Sequence, residues 1–235
     1  MSPQVTDGDR RHPAFVSFVR GMRLGLPVFL GYLPIGAAFG VVAAAAGTGV
    51  AAAVSCSALV LAGAGQFIGL QLLKGGAGLA TAILATTVIN LRYVLFSATM
   101  APHLRETPWY RQVLIAFTLT DETFAINITD SREGLSDDWS KIGVGFVSWV
   151  GWTAGTALGA AATALVGDPS RWGVDFALPA MFTALLVAQI SEKRYAVVAV
   201  VAAASALAMS TVLPGEWPVI AGAIGAATVG AVMYR

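Results

Sequence analysis

The sequence predicts an all-α polytopic membrane protein of about eight transmembrane helices, supported by its charge content, hydropathy and pattern of apolar stretches. Of the 235 residues, 57% are hydrophobic and 11% are charged. Soluble domains carry about 25% charged residues, which they need to wet their surface. The mean hydropathy of +0.74 points the same way. We therefore expect most of the chain to lie within a lipid bilayer.

Eight apolar stretches come close to the roughly 20 residues that a helix needs to cross a bilayer. They are 24–46, 50–73, 77–101, 112–129, 142–166, 173–190, 195–213 and 218–234. The connections are short, so we expect one helical bundle over 24–235, preceded by a cytoplasmic segment over 1–23. The stretches 112–129 and 173–190 are the weakest, and re-entry of either one lowers the number to seven.

The distribution of basic residues predicts the orientation. With the N-terminus inside and eight crossings, ten Lys and Arg residues fall on the cytoplasmic side and three on the outer side. Arg92 completes the fourteen and falls within a span. An even number of crossings also places the C-terminus in the cytoplasm.

Several functional classes are excluded by composition and missing motifs. A net charge of +1 gives no basic excess for nucleic acid, and the single cysteine, Cys56, excludes an intramolecular disulfide and a thiolate metal cage. The sequence contains no H-E-x-x-H, G-x-S-x-G or Walker motif. We therefore expect no enzymatic activity, no cofactor, no metal site and no direct use of ATP.

The first two spans carry helix-breaking residues. Pro34 and Gly36 interrupt the first span, and Gly63, Gly65 and Gln66 lie within the second. Irregular backbone at membrane depth is tolerated where it packs against protein or lines a wet cavity. We expect both spans to be broken helices that present backbone groups to a substrate. The alternative is that the prolines are kinks and the glycines are packing faces.

Three charged residues lie inside spans three and four. Arg92 precedes the connection between these spans by about ten residues, and Asp121 and Glu122 follow it by about ten. At 1.5 Å per residue each lies roughly 15 Å deep. An antiparallel arrangement then predicts an ion pair between Arg92 and one of the acids. Such a pair is either a packing device or a substrate and proton site.

Four motifs in order resemble the AzlC-type branched-chain amino acid permeases over nearly the whole chain. They are the runs Gly31-Tyr-Leu-Pro-Ile-Gly-Ala-Ala-Phe-Gly40, Ala62-Gly-Ala-Gly-Gln-Phe67, Asn90-Leu-Arg-Tyr93 and Thr120-Asp-Glu-Thr-Phe-Ala125. Tyr93 stands where many members are expected to have histidine, so an imidazole role is not carried over.

The resemblance implies the large subunit of an exporter in the bacterial cytoplasmic membrane. Such proteins act with a small, multi-span AzlD-type partner on valine, leucine and isoleucine, and in some members on methionine. Without a Walker motif we expect proton coupling. The alternatives are a passive channel and a structural subunit of a small-solute permease.

The candidate site residues fall into two groups. For substrate binding we expect Pro34, Gly36, Phe39, Gly63, Gly65, Gln66, Phe67, Asn90 and Arg92. For proton coupling we expect Asp121 and Glu122. Arg92 suits a substrate carboxylate, and the two phenylalanines suit an apolar side chain.

Overall fold

A computed structural model describes residues 13–166, 193–212 and 217–233, together with Phe176, Thr183, Leu186, Val187 and Ile190. The regular structure in this part of the chain is helical, without strands. The chain divides into two compact units, Met1–Ala177 and Leu178–Arg235, which are described separately.

The first unit contains eight helices and one 3-10 turn within the described residues. They are α1 (Ala14–Ala45), α2 (Val50–Leu59), α3 (Gly63–Lys74), α4 (Leu79–Asn90), α5 (Arg92–Met100), the 3-10 turn Ala101–Leu104, α6 (Trp109–Phe117), α7 (Asp121–Arg132) and α8 (Asp138–Val166). We call the end at which α1 begins the near end, and the end at which α1 finishes the far end.

The longest helices, α1 and α8, pack side by side and run parallel. Gly21 of α1 faces Ser140 of α8, and Gly36 faces Trp152, so the residue numbers rise together. A Cβ atom at Gly36 would lie 2.5 Å from the carbonyl oxygen of Trp152. Glycine therefore permits this backbone approach, as small residues do between membrane helices.

The predicted break in the first span is wrong, because α1 is one continuous helix of 32 residues. Pro27 and Pro34 both lie inside it. Each proline lacks an N–H and weakens the helix locally. The close packing of α1 against α8 extends on both sides of the prolines and holds the helix together.

The predicted break in the second span is present and separates α2 from α3. Residues 60–62 form no helix, and Val60 (φ −134°, ψ 98°) has extended backbone. The carbonyl of Ala58, near the end of α2, accepts a hydrogen bond of 2.9 Å from Trp149 Nε1. An indole N–H thus satisfies a carbonyl group next to the break.

A second break, which the sequence reasoning missed, separates α6 from α7. Thr120 has extended backbone (φ −131°, ψ 178°) and caps α7. Its N–H donates to Thr123 Oγ1 at 2.8 Å, and the Thr123 N–H donates back to Thr120 Oγ1 at 3.3 Å. This reciprocal capping box fixes the start of α7 in the interior of the unit.

Helices α6 and α7 form a hairpin that enters and leaves at the near end. Arg111, in the first turn of α6, pairs with Asp138 at the start of α8 at 3.3 Å. Arg20 of α1 pairs with Asp130 in the last turn of α7. Both ends of the hairpin therefore lie beside the near ends of α1 and α8, which agrees with the re-entrant alternative for 112–129 and not with a single crossing.

The directions of the neighbouring helices place a second hairpin at the far end. Phe96 of α5 stacks on Phe124 of α7 at 4.5 Å, and Met100 packs with Ile128, so α5 runs parallel to α7 towards the near end. Helix α4 then starts at the far end, and residues 75–78 join it to α3. Since α2 follows the far end of α1, α2 and α3 also enter and leave on one side. The stretch 50–73 is therefore a hairpin as well.

The second unit contains an antiparallel pair, α9 (Lys193–Ser210) and α10 (Trp217–Met233). A Cβ atom at Gly222 would lie 3.0 Å from the Cβ of Ala206, and one at Gly230 would lie 3.6 Å from Val198 Cγ2. The predicted helices at 195–213 and 218–234 are present. The predicted span 173–190 lies almost wholly outside the described residues.

Within the described residues, two helices are long and apolar enough to cross a bilayer by themselves, Ala14–Ala45 and Leu79–Leu104. The second comprises α4, α5 and the 3-10 turn. The total number of crossings, the side of the termini and the single bundle over 24–235 stay predictions.

Candidate functional site

A charged group surrounds the tip of the near-end hairpin, residues 118–120. Arg92 begins α5 and pairs with Asp121 at the start of α7, with 2.8 Å between Nη1 and Oδ2. The two side chains are 26% and 21% exposed. The predicted pair is thus present, although α5 and α7 are parallel and the expected antiparallel arrangement is wrong.

The second acid, Glu122, has a different partner. Tyr32 of α1 donates its hydroxyl hydrogen to Glu122 Oε2, and the same hydroxyl oxygen lies 2.8 Å from Thr120 Oγ1. Among the described residues, no Lys, Arg or His forms an ion pair with Glu122. The two adjacent acids therefore differ in their partners: Asp121 pairs with a cation, and Glu122 accepts a hydrogen bond from a tyrosine hydroxyl.

Asn90 and Arg92 flank the junction between α4 and α5, where Leu91 interrupts the helix. Asn90 Oδ1 and Arg92 Nε are buried and have no hydrogen-bond partner among the described residues. One atom is an acceptor and the other is a donor. Buried polar atoms are normally paired, so this junction carries one unsatisfied donor and one unsatisfied acceptor.

A neutral group surrounds the tip of the far-end hairpin, residues 60–62. Trp152 of α8 is 2% exposed and donates from Nε1 to Gln66 Oε1 at 2.8 Å. Gln66 Nε2 donates to Ser57 Oγ at 3.4 Å, and Ser57 Oγ lies 2.8 Å from Thr156 Oγ1. The mid-span amide predicted to face a substrate is therefore held by other side chains.

The aromatic residues predicted to meet a substrate lie in the core of this neutral group. Phe39 and Phe67 are 3% and 1% exposed, and their rings are 5.3 Å apart. The ring of Trp152 stacks beside Phe39 at 6.3 Å. A Cβ atom at Gly63 would lie 2.6 Å from Trp152 Cη2. In this conformation the rings of Phe39 and Phe67 are buried against each other and Trp152, and neither is exposed to a substrate.

Tyr32 connects the charged and neutral groups. Its ring lies edge-on to Trp152 at 5.5 Å, while its hydroxyl reaches Glu122. Gly65 faces Asn90, where a Cβ atom would lie 3.0 Å from Nδ2. Pro34 is exposed and belongs to neither group. Gly36 packs against Trp152, and the other nine predicted residues belong to the charged or the neutral group or pack against them; their role in binding or coupling stays a prediction.

Comparison with known protein families gives a match over the part of the chain that contains both hairpins. The sequence model of the AzlC protein family covers residues 27–166, which is more than half of the chain. The chain belongs to the AzlC family. The matched range runs from α1 to the end of α8 and includes both hairpins.

Relatives of the family are found in bacteria and archaea. The chain is 31% identical to the inner membrane protein YgaZ of Escherichia coli over 77% of each chain. It is 26% identical to the branched-chain amino acid transport protein AzlC of Bacillus subtilis, over 83% of this chain and 77% of that one. An uncharacterized membrane protein of Archaeoglobus fulgidus is 29% identical over 75% and 78%. No solved structure matches the chain.

Three residues of this AzlC-family site were missed by sequence reasoning. Tyr32 and Thr120 stand inside the recognised motifs but were given no role, and Trp152 was not singled out. A signal for Trp152 was present, because it stands in the middle of a long apolar span between Gly151 and Gly155. A large aromatic residue at that depth indicates a core position.

Proposed function

We propose that this chain is a secondary transporter that exports branched-chain and other hydrophobic L-amino acids, namely valine, leucine, isoleucine and methionine. The name of the Bacillus subtilis relative supports this substrate class. The observation that carries the proposal is the Arg92–Asp121 pair beside Glu122 at the tip of a hairpin in the unit interior. Ionisable groups at membrane depth are costly and mark transport pathways.

Substrate recognition uses the unpaired atoms next to Leu91. The α-carboxylate of an amino acid binds the Arg92 guanidinium and displaces Asp121, because both compete for the same donors. The α-ammonium meets Asn90 Oδ1, an acceptor without a partner among the described residues. A zwitterion therefore fits the donor and acceptor on the two sides of this junction.

Proton coupling uses Glu122. Asp121 is already balanced by Arg92, whereas Glu122 relies on neutral hydroxyl groups. Substrate binding at Arg92 releases Asp121 beside Glu122, so the substrate exchanges with a carboxylate that neighbours the proposed coupling acid.

The basic residues support a cytoplasmic near end. With the two hairpins, the near end of residues 13–166 carries Arg20, Arg23, Arg105, Arg111, Arg132 and Lys141, and the far end carries Lys74. The positive-inside rule then places the near end in the cytoplasm. Arg105 and Arg111, which the arrangement with eight crossings assigned to the outer side, then lie on the cytoplasmic side.

We further propose the bacterial cytoplasmic membrane as the location and a small AzlD-type subunit as the partner.

The experiment that tests this proposal is valine counterflow in proteoliposomes, with and without the small subunit. We expect exchange of labelled valine, and a pH gradient should drive accumulation above the equilibrium level. Flux that equilibrates valine but ignores the pH gradient would indicate a passive channel. Absence of flux with either composition would overturn the proposal.

A further inference from the structure

A polar cavity of about 840 Å³ opens at the near end, separate from the groups at the two hairpin tips. It lies where the start of α1, the connection before α6 and the start of α8 meet. Its lining includes the charged residues Arg105, Glu106, Arg111, Asp138 and Lys141. The substrate pathway proposed above does not use any of these side chains.

Lys141 is the most unusual residue of the lining, because it is only 3% exposed. Among the described residues no acceptor forms a hydrogen bond or a close ion pair with its ammonium group. Burial lowers its pKa, and the carboxylates of Asp138, Asp137 and Asp130 oppose that shift from a distance. A buried cation without a direct partner is costly, so an anion in the cavity would stabilise it.

Arg111 contributes a second donor that has no acceptor. Its Nη1 pairs with Asp138, and its guanidinium lies over the ring of Trp139 at 4.7 Å. Its Nε is buried and unpaired within the described part of the chain, as is Ser136 Oγ. The stacked ring and Asp138 hold the Arg111 guanidinium in place beside the cavity.

The two aspartates of the lining are already engaged by the protein. Asp138 Oδ1 accepts from Thr107 Oγ1 at 2.6 Å, and its Oδ2 accepts from Arg111. Asp137 Oδ1 accepts the backbone N–H of Ser140 at 2.8 Å. Glu106 is exposed and forms no ion pair among the described residues, whereas the buried unpaired side-chain atoms of the lining, Arg111 Nε and Ser136 Oγ, can both donate.

We propose that this cavity binds a small carboxylate, with the Lys141 ammonium and the Arg111 guanidinium as its donors. The bidentate shape of a carboxylate suits one ammonium and one guanidinium nitrogen on neighbouring walls. If the transport function proposed above holds, on which this extension rests, the ligand is the α-carboxylate of a cytoplasmic amino acid before it moves between the hairpins.

Isothermal titration of the purified protein in lipid nanodiscs tests the site with three probes: isovalerate, isobutylamine and inorganic phosphate. We expect isovalerate to bind and isobutylamine not to bind. Lys141→Met should weaken isovalerate binding at least ~10-fold, because a charge-assisted hydrogen bond is lost. The matched control Arg132→Gln removes an exposed near-end cation outside the cavity and should leave the affinity unchanged.

Lys141→Met removes a buried unpaired charge and should fold, and the exposed cavity residue Arg105→Gln provides a second variant with a smaller expected loss. Unchanged isovalerate affinity in Lys141→Met, or tighter binding of phosphate than of isovalerate, would overturn the carboxylate site. Loss of binding in Arg92→Gln but not in Lys141→Met would also overturn it, since the ligand would then sit at the hairpin tip. Valine counterflow on the same samples judges the transport proposal separately.

Discussion

The two hairpins have the same architecture but opposite chemistry at their tips. The far-end tip meets a neutral network of an indole, an amide and two hydroxyl groups. The near-end tip carries two carboxylates, one paired with Arg92 and one bonded to Tyr32. In the neutral network the named side chains have partners within the protein. Near the charged tip, Arg92 Nε and Asn90 Oδ1 have no hydrogen-bond partner within the described part of the chain.

This difference separates structural from functional residues in a way that sequence motifs do not. Gln66 and Trp152 are buried and bonded to each other, so they are expected to set the position of the far-end hairpin. Arg92 and Asp121 are partly exposed, so a ligand can reach them. Changes at the charged tip should alter transport, and changes at the neutral tip should alter stability.

The largest expected effect on the charged side is that of Arg92→Gln. Loss of the substrate carboxylate's partner should reduce valine counterflow by about 10- to 100-fold, since a hydrogen bond to a charged group contributes about 1.5–3 kcal/mol. Counterflow in proteoliposomes measures it, with Arg132→Gln as the control for a lost cation. Normal flux in a folded Arg92→Gln protein would remove the charged tip from the pathway.

Glu122→Gln should separate coupling from binding. A gradient of one pH unit drives about tenfold accumulation for one proton per substrate, because one unit corresponds to about 1.36 kcal/mol. The variant should lose this accumulation while valine exchange without a gradient continues. Glu133→Gln, an exposed acid beyond α7, is the control. If the Glu122→Gln variant still accumulates valine in response to the pH gradient, another group carries the coupling role.

The smallest effect on transport is expected at the neutral tip. In Gly63→Ala the new methyl group would meet the Trp152 ring at 2.6 Å, which should lower the unfolding free energy by about 1–3 kcal/mol. Thermal unfolding in detergent measures this change. Gly31→Ala in α1 meets no atom within 4 Å and should be neutral or stabilising. A change in pH dependence in Gly63→Ala would contradict the division between the tips.

Much of the helical content could be predicted from the sequence, because it depends on local information. The pairing of Arg92 with an acid was also predicted, although from an antiparallel arrangement that the structure does not have. Apolar stretches of suitable length mark the helices, and charged residues at matching depth mark Arg92 and Asp121. The break at residues 60–62 followed from the glycines next to it. The family resemblance came from short ordered motifs, which the match over residues 27–166 confirms.

The path of the chain could not be predicted, because it depends on contacts between distant residues. An apolar stretch of about 20 residues has a similar composition whether it crosses the bilayer or turns back at its middle. The Arg111–Asp138 and Arg20–Asp130 pairs decide that question for α6 and α7, and each joins residues far apart in sequence. The prediction that proline breaks the first span was wrong for the same reason, because packing of α1 against α8 outweighs the local destabilisation by proline.

The near-end hairpin also has a consequence for how the protein is assembled during biosynthesis. Helix α6 has nine residues, and α7 carries Asp121, Glu122 and Asp130 within twelve, so neither segment is suited to partition into lipid by itself. Tyr32, Arg92 and Arg20, on helices made earlier, supply partners for all three acids. We therefore expect the hairpin to fold into place only after α1 and α5, which carry these partners, have entered the bilayer.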